Sequence, residues 1–213
     1  MQMMKNILKN LKSFIRLRLN YTKRFFLKPK LPINKDGKVL LHLGCGEINS
    51  PEYVNIDTRP FSHVHCISDI TDLSEFCDNS ADLIYACMVL EHISRTKLLE
   101  VLIEWRRVLK KKGILRLTVP DFDKIVDCYH KNHSNIEVIA PALMGGQGYE
   151  SNFHFSVFNK EYLSRLLKEA GFKEVFEWDP QKAQYHNFSD WANKKLAIGE
   201  DGVSVSLNLE AVK

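Results

Sequence analysis

From Lys38 onward, short apolar runs alternate with amphipathic segments, and turn-forming residues separate them. Runs of about four to eight apolar residues are typical of buried strands, whereas apolar residues spaced three and four apart are typical of helices. The alternation therefore predicts an α/β domain with a mainly parallel sheet. Strands are predicted at residues 39–43, 54–57, 64–67, 81–86, 114–119, 172–178 and 203–212. The last two are expected to be antiparallel, because no clear helical pattern separates them.

Helical periodicity predicts three helices, at residues 96–111, 121–131 and 160–170. Gly113 and Gly171 follow two of them, as glycine commonly does after a helix C-terminus. Residues 132–158 show no clear period and are predicted to be irregular, with Gly145, Gly146 and Gly148 near their centre. A loop of this length in a compact domain is usually functional.

Residues 1–30, called here the basic segment, have apolar positions at helical spacing, nine Lys or Arg residues and no acid. This pattern predicts a basic amphipathic helix, which could lie on an anionic membrane, dock on a partner or second copy, or cover an edge of the core. Residues 31–37, with Pro32 and Gly37, are interpreted as a linker, and residues 38–213 as a single catalytic domain.

Composition changes the picture in two respects. With 213 residues, 45% hydrophobic and 26% charged, the chain is expected to form one globular domain. The net charge of +4 belongs to the basic segment, since the rest carries 21 bases against 26 acids, so nucleic-acid binding is not expected. The absence of a long apolar run and of a secretory signal predicts a cytoplasmic protein.

Cysteine and histidine spacing argues against metal and disulfide chemistry. The five cysteines are odd in number and never spaced C-x-x-C, and the remaining histidines lack spacing such as H-x-x-x-H. No zinc site or other metal site is therefore expected. The histidines set aside on this ground are His63, His65, His130, His133 and His186.

Candidate ligand-binding residues lie where the first three strands end. Gly44 and Gly46 follow the first strand, Asp57 ends the second, and Asp69 follows the third. Glycines at such a turn let a ligand approach the backbone, and strand-end carboxylates can accept hydrogen bonds from a ribose or an adenine amine. The arrangement predicts a nucleoside site. A nicotinamide-dependent dehydrogenase is the nearest competitor, but its third glycine is replaced by Asn49.

Four motifs, LHLGCG, NID, VLEH and LTVPD, begin at Leu41, Asn55, Val89 and Leu117 and resemble those of class I S-adenosylmethionine-dependent methyltransferases. The resemblance implies a doubly wound, mostly parallel, seven-stranded Rossmann-like sheet with a C-terminal antiparallel strand. The segments MGGQ, FHF and SLNLEAV further resemble a bacterial branch associated with surface-polysaccharide (O-antigen or capsule) biosynthesis.

The resemblance also implies roles for individual residues. Asp57 would bind the ribose and Asp69 the adenine. The family pattern usually has a third glycine and a full helix before the ribose acid, whereas here residues 47–52 are short and Pro51 interrupts them. S-adenosylmethionine is the implied cofactor, and S-adenosylhomocysteine the product. The residues expected to contact the cofactor are Leu43, Gly44, Cys45, Gly46, Asp57, Thr58, Asp69, Ile70, Cys87 and His92.

Methyl transfer chiefly requires positioning, but a hydroxyl acceptor would also need a general base. His154 is the preferred candidate, and His92, Asp121 and Tyr149 are further ones. Three of the four have a structural alternative: His154 as a loop residue bonded to a carbonyl, His92 as part of the cofactor wall, and Asp121 as a helix cap.

The expected function is methyl transfer to an oxygen or other polar atom of a small acceptor. The resemblance suggests a nucleotide-activated sugar, a phosphoramidate or another surface-glycan or capsule precursor. A non-catalytic, cofactor-binding scaffold at the membrane surface is the alternative from a different class.

Overall fold

A computed structural model describes residues 32, 34–149, 151–196 and 202–213. The basic segment, and therefore its predicted helix, lies outside the described residues. Within the described part of the chain, no helix is both long and apolar enough to cross a membrane.

Seven strands form one sheet in the order β3-β2-β1-β4-β5-β7-β6. Strands β1 to β5 run parallel, while β7 is antiparallel to both of its neighbours. The predicted seven-stranded, mostly parallel sheet with antiparallel C-terminal strands is thereby confirmed. The strands are β1 (Leu40–Leu43), β2 (Val54–Asp57), β3 (Cys66–Ile67), β4 (Ala81–Cys87), β5 (Leu109–Pro120), β6 (Glu174–Glu177) and β7 (Ser206–Val212).

The described residues contain four α-helices and one short 3₁₀ helix. These are the 3₁₀ helix (Leu90–His92), α1 (Leu98–Val108), α2 (Phe122–Lys131), α3 (Ile136–Met144) and α4 (Lys160–Glu169). Three of the α-helices lie where periodicity predicted them. The prediction of an irregular region was wrong for α3, which the Asn135 side chain caps by accepting the N–H of Glu137. Its nearly uniform apolar sequence and internal Pro141 conceal the helical period.

The two faces of the sheet are covered differently. Helices α1 and α4 pack on one face, where Trp105 and Leu167 are completely buried. On the other face, residues 178–196 form an irregular cover whose aromatic side chains pack against Tyr53 and Tyr85. A doubly wound sheet usually has helices on both faces, so this side departs from the expected pattern.

The connections at the carboxyl edge of the parallel strands shape the site. No helix separates β1 from β2 in the described residues 44–53. These residues form turns instead, and Pro51 lies in one of them. After β4 the chain enters the 3₁₀ helix, and after β5 it enters α2. Backbone and side chains from β1, β2 and β4 therefore meet at one edge, as expected for a parallel sheet.

Candidate active site

The turn after β1 can be built only with glycine at position 44. Gly44 has φ of +62°, and a Cβ atom added there would lie 2.6 Å from Cγ2 of Val89. A side chain would thus meet both an unfavourable backbone conformation and a packed neighbour. Gly46, with φ of +57°, donates its N–H to Oδ2 of Asp57 at 2.8 Å. This hydrogen bond therefore links the glycine turn after β1 to the acid at the end of β2.

Arg59 is the other partner of Asp57. Oδ1 of Asp57 accepts the backbone N–H of Arg59 at 2.8 Å and its Nε–H at 3.1 Å. The guanidinium also lies 4.8 Å from the ring centre of Phe61 and 5.1 Å from that of Tyr149. Although burial opposes the charge, the Asp57 carboxylate raises the pKa of Arg59, so the guanidinium keeps its charge. The sequence did not suggest this partner.

A cavity of about 630 Å³ opens at this edge of the sheet. Its volume lies within the range of small-molecule sites. The predicted site residues that line it are Gly44, Asp57, Thr58, Asp69, Ile70, His92 and Tyr149. Most of the cofactor residues expected from the sequence are thus brought together around one space.

Six other predicted site residues do not line the cavity: Leu43, Cys45, Gly46, Cys87, Asp121 and His154. Leu43 and Cys45 are buried, and burial also raises the pKa of the Cys87 thiol well above its ordinary value. Asp121 caps α2 by accepting the N–H of Asp123, and it pairs with Lys124 at 3.4 Å. This is the helix-cap alternative considered for Asp121.

His154 instead belongs to a cluster behind the cavity wall, called here the Glu91 cluster: Glu91, His92 and His154. The rings of His92 and His154 are 4.9 Å apart at 70°, and Nε2 of His154 lies 3.9 Å from Oε1 of Glu91. His92 also lines the cavity. It is therefore the member of the cluster that can face a bound acceptor.

Burial governs the protonation of the cluster. Glu91 is 0% exposed, and neither carboxylate oxygen has a hydrogen-bond partner among the described residues. Burial raises the pKa of Glu91 to about 8, although nearby N–H groups of Glu91 and Val89 oppose the shift. Burial also lowers the pKa of His92, and burial together with His92 lowers the pKa of His154 to about 4. Both imidazoles are neutral at neutral pH.

The chain holds this cluster by a backbone framework. The N–H groups of Phe155 and Ser156 donate to the carbonyl of Glu91, and the N–H of His154 donates to Met144. Gly145, with φ of +81°, has no room for a side chain, because an added Cβ would overlap the carbonyl oxygen of Asn152. The glycine-rich segment therefore positions His154 against the 3₁₀ helix.

The cavity wall also carries a cation. Lys97 lines the cavity, and within the described residues it takes part in no ion pair. By contrast, the charge of Arg59 is matched by Asp57. An unmatched ammonium group in a cavity can stabilise a bound anion.

Part of the chain matches a known protein family. Residues 49–117 match a family model described as a methyltransferase domain. No curated protein sequence matches the chain.

The solved structures that resemble the chain are distant in sequence. One is a SAM-dependent methyltransferase from Archaeoglobus fulgidus (TM-score 0.52, 14% identity, 93% of this chain and 94% of that chain covered). Another is a SAM-dependent methyltransferase from Methanosarcina mazei (TM-score 0.51, 17% identity, 87% of this chain and 94% of that chain covered). A third is 1,6-didemethyltoxoflavin-N1-methyltransferase from Burkholderia thailandensis, whose structure contains S-adenosylhomocysteine (TM-score 0.50, 12% identity, 83% of this chain and 71% of that chain covered). At these identities the likeness shows the fold. The comparisons therefore show a methyltransferase domain match over residues 49–117 and a fold that the chain shares with S-adenosylmethionine-dependent methyltransferases.

Proposed function

We propose that the chain transfers a methyl group from S-adenosylmethionine to an oxygen of a small, negatively charged acceptor. The observation that supports this proposal most directly is that one cavity is lined by Gly44, Asp57, Asp69, His92 and Lys97. The acids suit a nucleoside, whereas His92 and Lys97 suit an acceptor that must lose a proton and carries negative charge.

The cavity fits the cofactor in three respects. Gly44 lets a ligand approach the backbone, and the Asp57 carboxylate lies at the end of β2, where it can accept a ribose hydroxyl. Asp69 is exposed in the cavity wall, where it can accept the exocyclic amine of adenine. The positions of Asp57 and Asp69 thus support binding of the nucleoside at one end of the cavity.

When bound, the cofactor supplies a methyl group on a sulfonium, whose transfer leaves the carbon–sulfur electron pair on sulfur and requires a hydroxyl acceptor to lose its proton. His92 can receive that proton, because its ring lines the cavity and burial keeps it neutral by lowering its pKa. His154 and Glu91 contact His92 from behind and act as positioning residues. In this proposal His92, and not the preferred candidate His154, receives the proton.

A negatively charged acceptor is favoured by Lys97, whose charge is unmatched within the described residues. Nucleotide-activated sugars carry phosphates, and the resemblance of MGGQ, FHF and SLNLEAV to the surface-polysaccharide branch supports such a precursor. A phosphoramidate or another capsule precursor would present the same negative charge.

Turnover with a panel of acceptors tests the proposal. The full-length protein is incubated with S-adenosylmethionine and, separately, with nucleoside diphosphate sugars, sugar phosphates and matching neutral sugars, and S-adenosylhomocysteine is measured. Product is expected only with anionic members. Tight cofactor binding without product from any acceptor would favour the scaffold alternative, and binding of a nicotinamide cofactor in place of S-adenosylmethionine would contradict the proposal.

Replacement of Lys97 by Gln sharpens this test. Loss of a charge-assisted contact costs about 1.5–3 kcal/mol, so KM for the anionic acceptor should rise by roughly 10-fold or more. Affinity for S-adenosylmethionine should stay unchanged. Lys131→Gln, an exposed lysine on α2, is the matched control. A loss of cofactor affinity instead would place Lys97 at the carboxylate of the cofactor and remove the support for an anionic acceptor.

We further propose that the basic segment contacts an anionic membrane surface from the cytoplasmic side. Nine basic residues without an acid, set around an apolar stripe, support this proposal.

A further inference from the structure

We infer that Glu91, His92 and His154 form a binding site for one divalent transition-metal ion of the Zn²⁺ type, at the wall of the cavity. The site goes beyond the proposed function. Only its catalytic role, given below, rests on that function.

The three side chains are already close enough to converge. One ligand atom from each lies within 4.8 Å of the others. Ligands about 2.0–2.2 Å from a tetrahedral ion lie about 3.3 Å apart, so the side chains need to close by at most about 1.5 Å. Rotation of the two imidazoles can supply such a movement.

The carboxylate of Glu91 is an independent reason to expect a cation. It is completely buried, and both oxygens lack a hydrogen-bond partner within the described residues. A buried carboxyl group without a hydrogen-bond partner is costly even when it is protonated, and a bound metal ion, which displaces the proton, is one way in which proteins satisfy such a group. Nε2 of His154 lies 3.9 Å from the Oε1 atom of Glu91. Glu91 therefore faces the space between itself and the histidines without a partner.

The histidines are oriented as metal ligands usually are. Nδ1 of His92 lies 3.0 Å from the carbonyl oxygen of Phe153. Because a carbonyl only accepts, Nδ1 carries the proton and the lone pair of the neutral ring lies on Nε2. Nε2 of His154 lies 3.9 Å from Oε1 of Glu91, so this nitrogen is on the side of the ring that is near the carboxyl group. Ligating histidines typically donate their second ring N–H to such backbone carbonyls.

The donor set determines the class of ion. Two imidazole nitrogens and one carboxylate oxygen suit Zn²⁺ and neighbouring transition metals better than Mg²⁺ or Ca²⁺, which prefer oxygen. Three protein ligands leave a fourth position for water or substrate. Since His92 lines the cavity, that position can be reached from the acceptor side.

The role of the ion follows from the proposed function. An ion held by these three residues would lower the pKa of a bound acceptor hydroxyl. The hydroxyl would lose its proton to water, and its oxygen would form the new bond to the methyl carbon while the carbon–sulfur bond breaks and leaves its electron pair on sulfur. In that case His92 would act as a ligand of the ion. The ion, in place of His92, would promote loss of the proton from the acceptor hydroxyl.

Metal titration of the full-length protein, without cofactor or acceptor, tests the site. After dialysis against a chelator, Zn²⁺ is titrated by calorimetry, and Co²⁺ by visible absorption. One ion per chain is expected. Loss of an outer contact already costs about 10–100-fold in metal affinity, so Glu91→Gln and His154→Ala should each weaken binding by at least about 100-fold. His130→Ala, at an exposed position on α2, is the matched control and should bind like the unmodified protein.

Thermal unfolding shows whether the variants fold. Glu91→Gln removes a buried carboxylate, so its metal-free melting temperature should be equal to or above that of the unmodified protein, while its increase on adding Zn²⁺ should disappear. Unchanged affinity in both variants, or no binding of either ion, would overturn the metal site. Failure to find an acceptor would affect only the proposed function, because these measurements need none.

Discussion

Asp57 serves the fold and faces the cavity at the same time. Its two oxygens accept the N–H of Gly46 and two N–H groups of Arg59. A ribose with two hydroxyls needs some of the same acceptor capacity, so the Arg59 side chain has to yield part of its contact when the cofactor binds. The sequence already indicated that the turn before Asp57 departs from the family pattern. The contacts with Arg59 show that part of the acceptor capacity of Asp57 is used within the protein.

Substitution of Asp57 separates these two contributions. Asp57→Ala removes a charged acceptor, which costs about 1.5–3 kcal/mol, so affinity for S-adenosylmethionine should fall roughly 10- to 100-fold. Asp57→Asn should lose less, because its remaining carbonyl oxygen can still accept the N–H of Gly46. Calorimetric titration measures both. Asp127→Asn, at an exposed position on α2, is the control. If Asp57→Ala binds normally, the cofactor does not occupy this end of the cavity.

The sequence could predict those site residues whose position follows directly from a strand. Gly44, Asp57 and Asp69 come at strand ends, and parallel strands bring these ends together. Arg59 and Glu91 were missed because their significance depends on contacts. The VLEH motif includes Glu91, but no local pattern shows that its carboxylate is buried without a partner or that His154 lies against it.

At the scale of elements, the chain from Met144 to Ser156 follows α3 in the sequence and is hydrogen-bonded to the 3₁₀ helix, which lies much earlier in the chain. Backbone hydrogen bonds connect its two ends to the helices on either side, through Met144 and Glu91. Local periodicity could predict neither α3 nor this connection, since the apolar run of α3 has no clear polar face and the hydrogen bonds join distant parts of the chain.

A pair of glycine substitutions tests whether this segment positions the cluster. Gly145→Ala places a Cβ against the carbonyl of Asn152 at a positive φ, whereas Gly148 has open space around it. The first change should displace His154, lower turnover by at least about 10-fold and weaken metal binding, because a displacement of about 1 Å can cost 100-fold in rate. Gly148→Ala should preserve both. Steady-state turnover and Co²⁺ absorption provide the measurements, and equal behaviour of the two variants would contradict this positioning role.

At the scale of the whole molecule, the alternation of apolar and amphipathic segments was sufficient to predict the sheet. The cover on its second face was not predictable in the same way. Residues 178–196 have no helical period, and they are held by specific contacts such as the hydrogen bond from Tyr85 to Asp190 and the stacking of Phe188 on His42. The positions of the aromatic residues along this segment do not show which surface they cover.

The uneven distribution of charge over the whole chain leads to a prediction about membranes. Residues outside the basic segment carry more acids than bases, so they should be repelled by an anionic surface, whereas the basic segment should be attracted. Full-length protein should therefore sediment with phosphatidylglycerol vesicles at low salt, stay in solution with phosphatidylcholine vesicles, and be released as salt screens the charges.

Charge reversal identifies the part of the chain responsible. Each basic residue near such a surface contributes about 1 kcal/mol, so replacing Lys5, Lys9 and Lys12 by Glu should lower partitioning at least about 100-fold. A matched variant changes the exposed body lysines Lys111, Lys131 and Lys173 to Glu. It alters net charge equally but should retain most of the binding. Equal losses would attribute binding to net charge, and a change in oligomeric state without vesicle binding would instead support a contact between two copies.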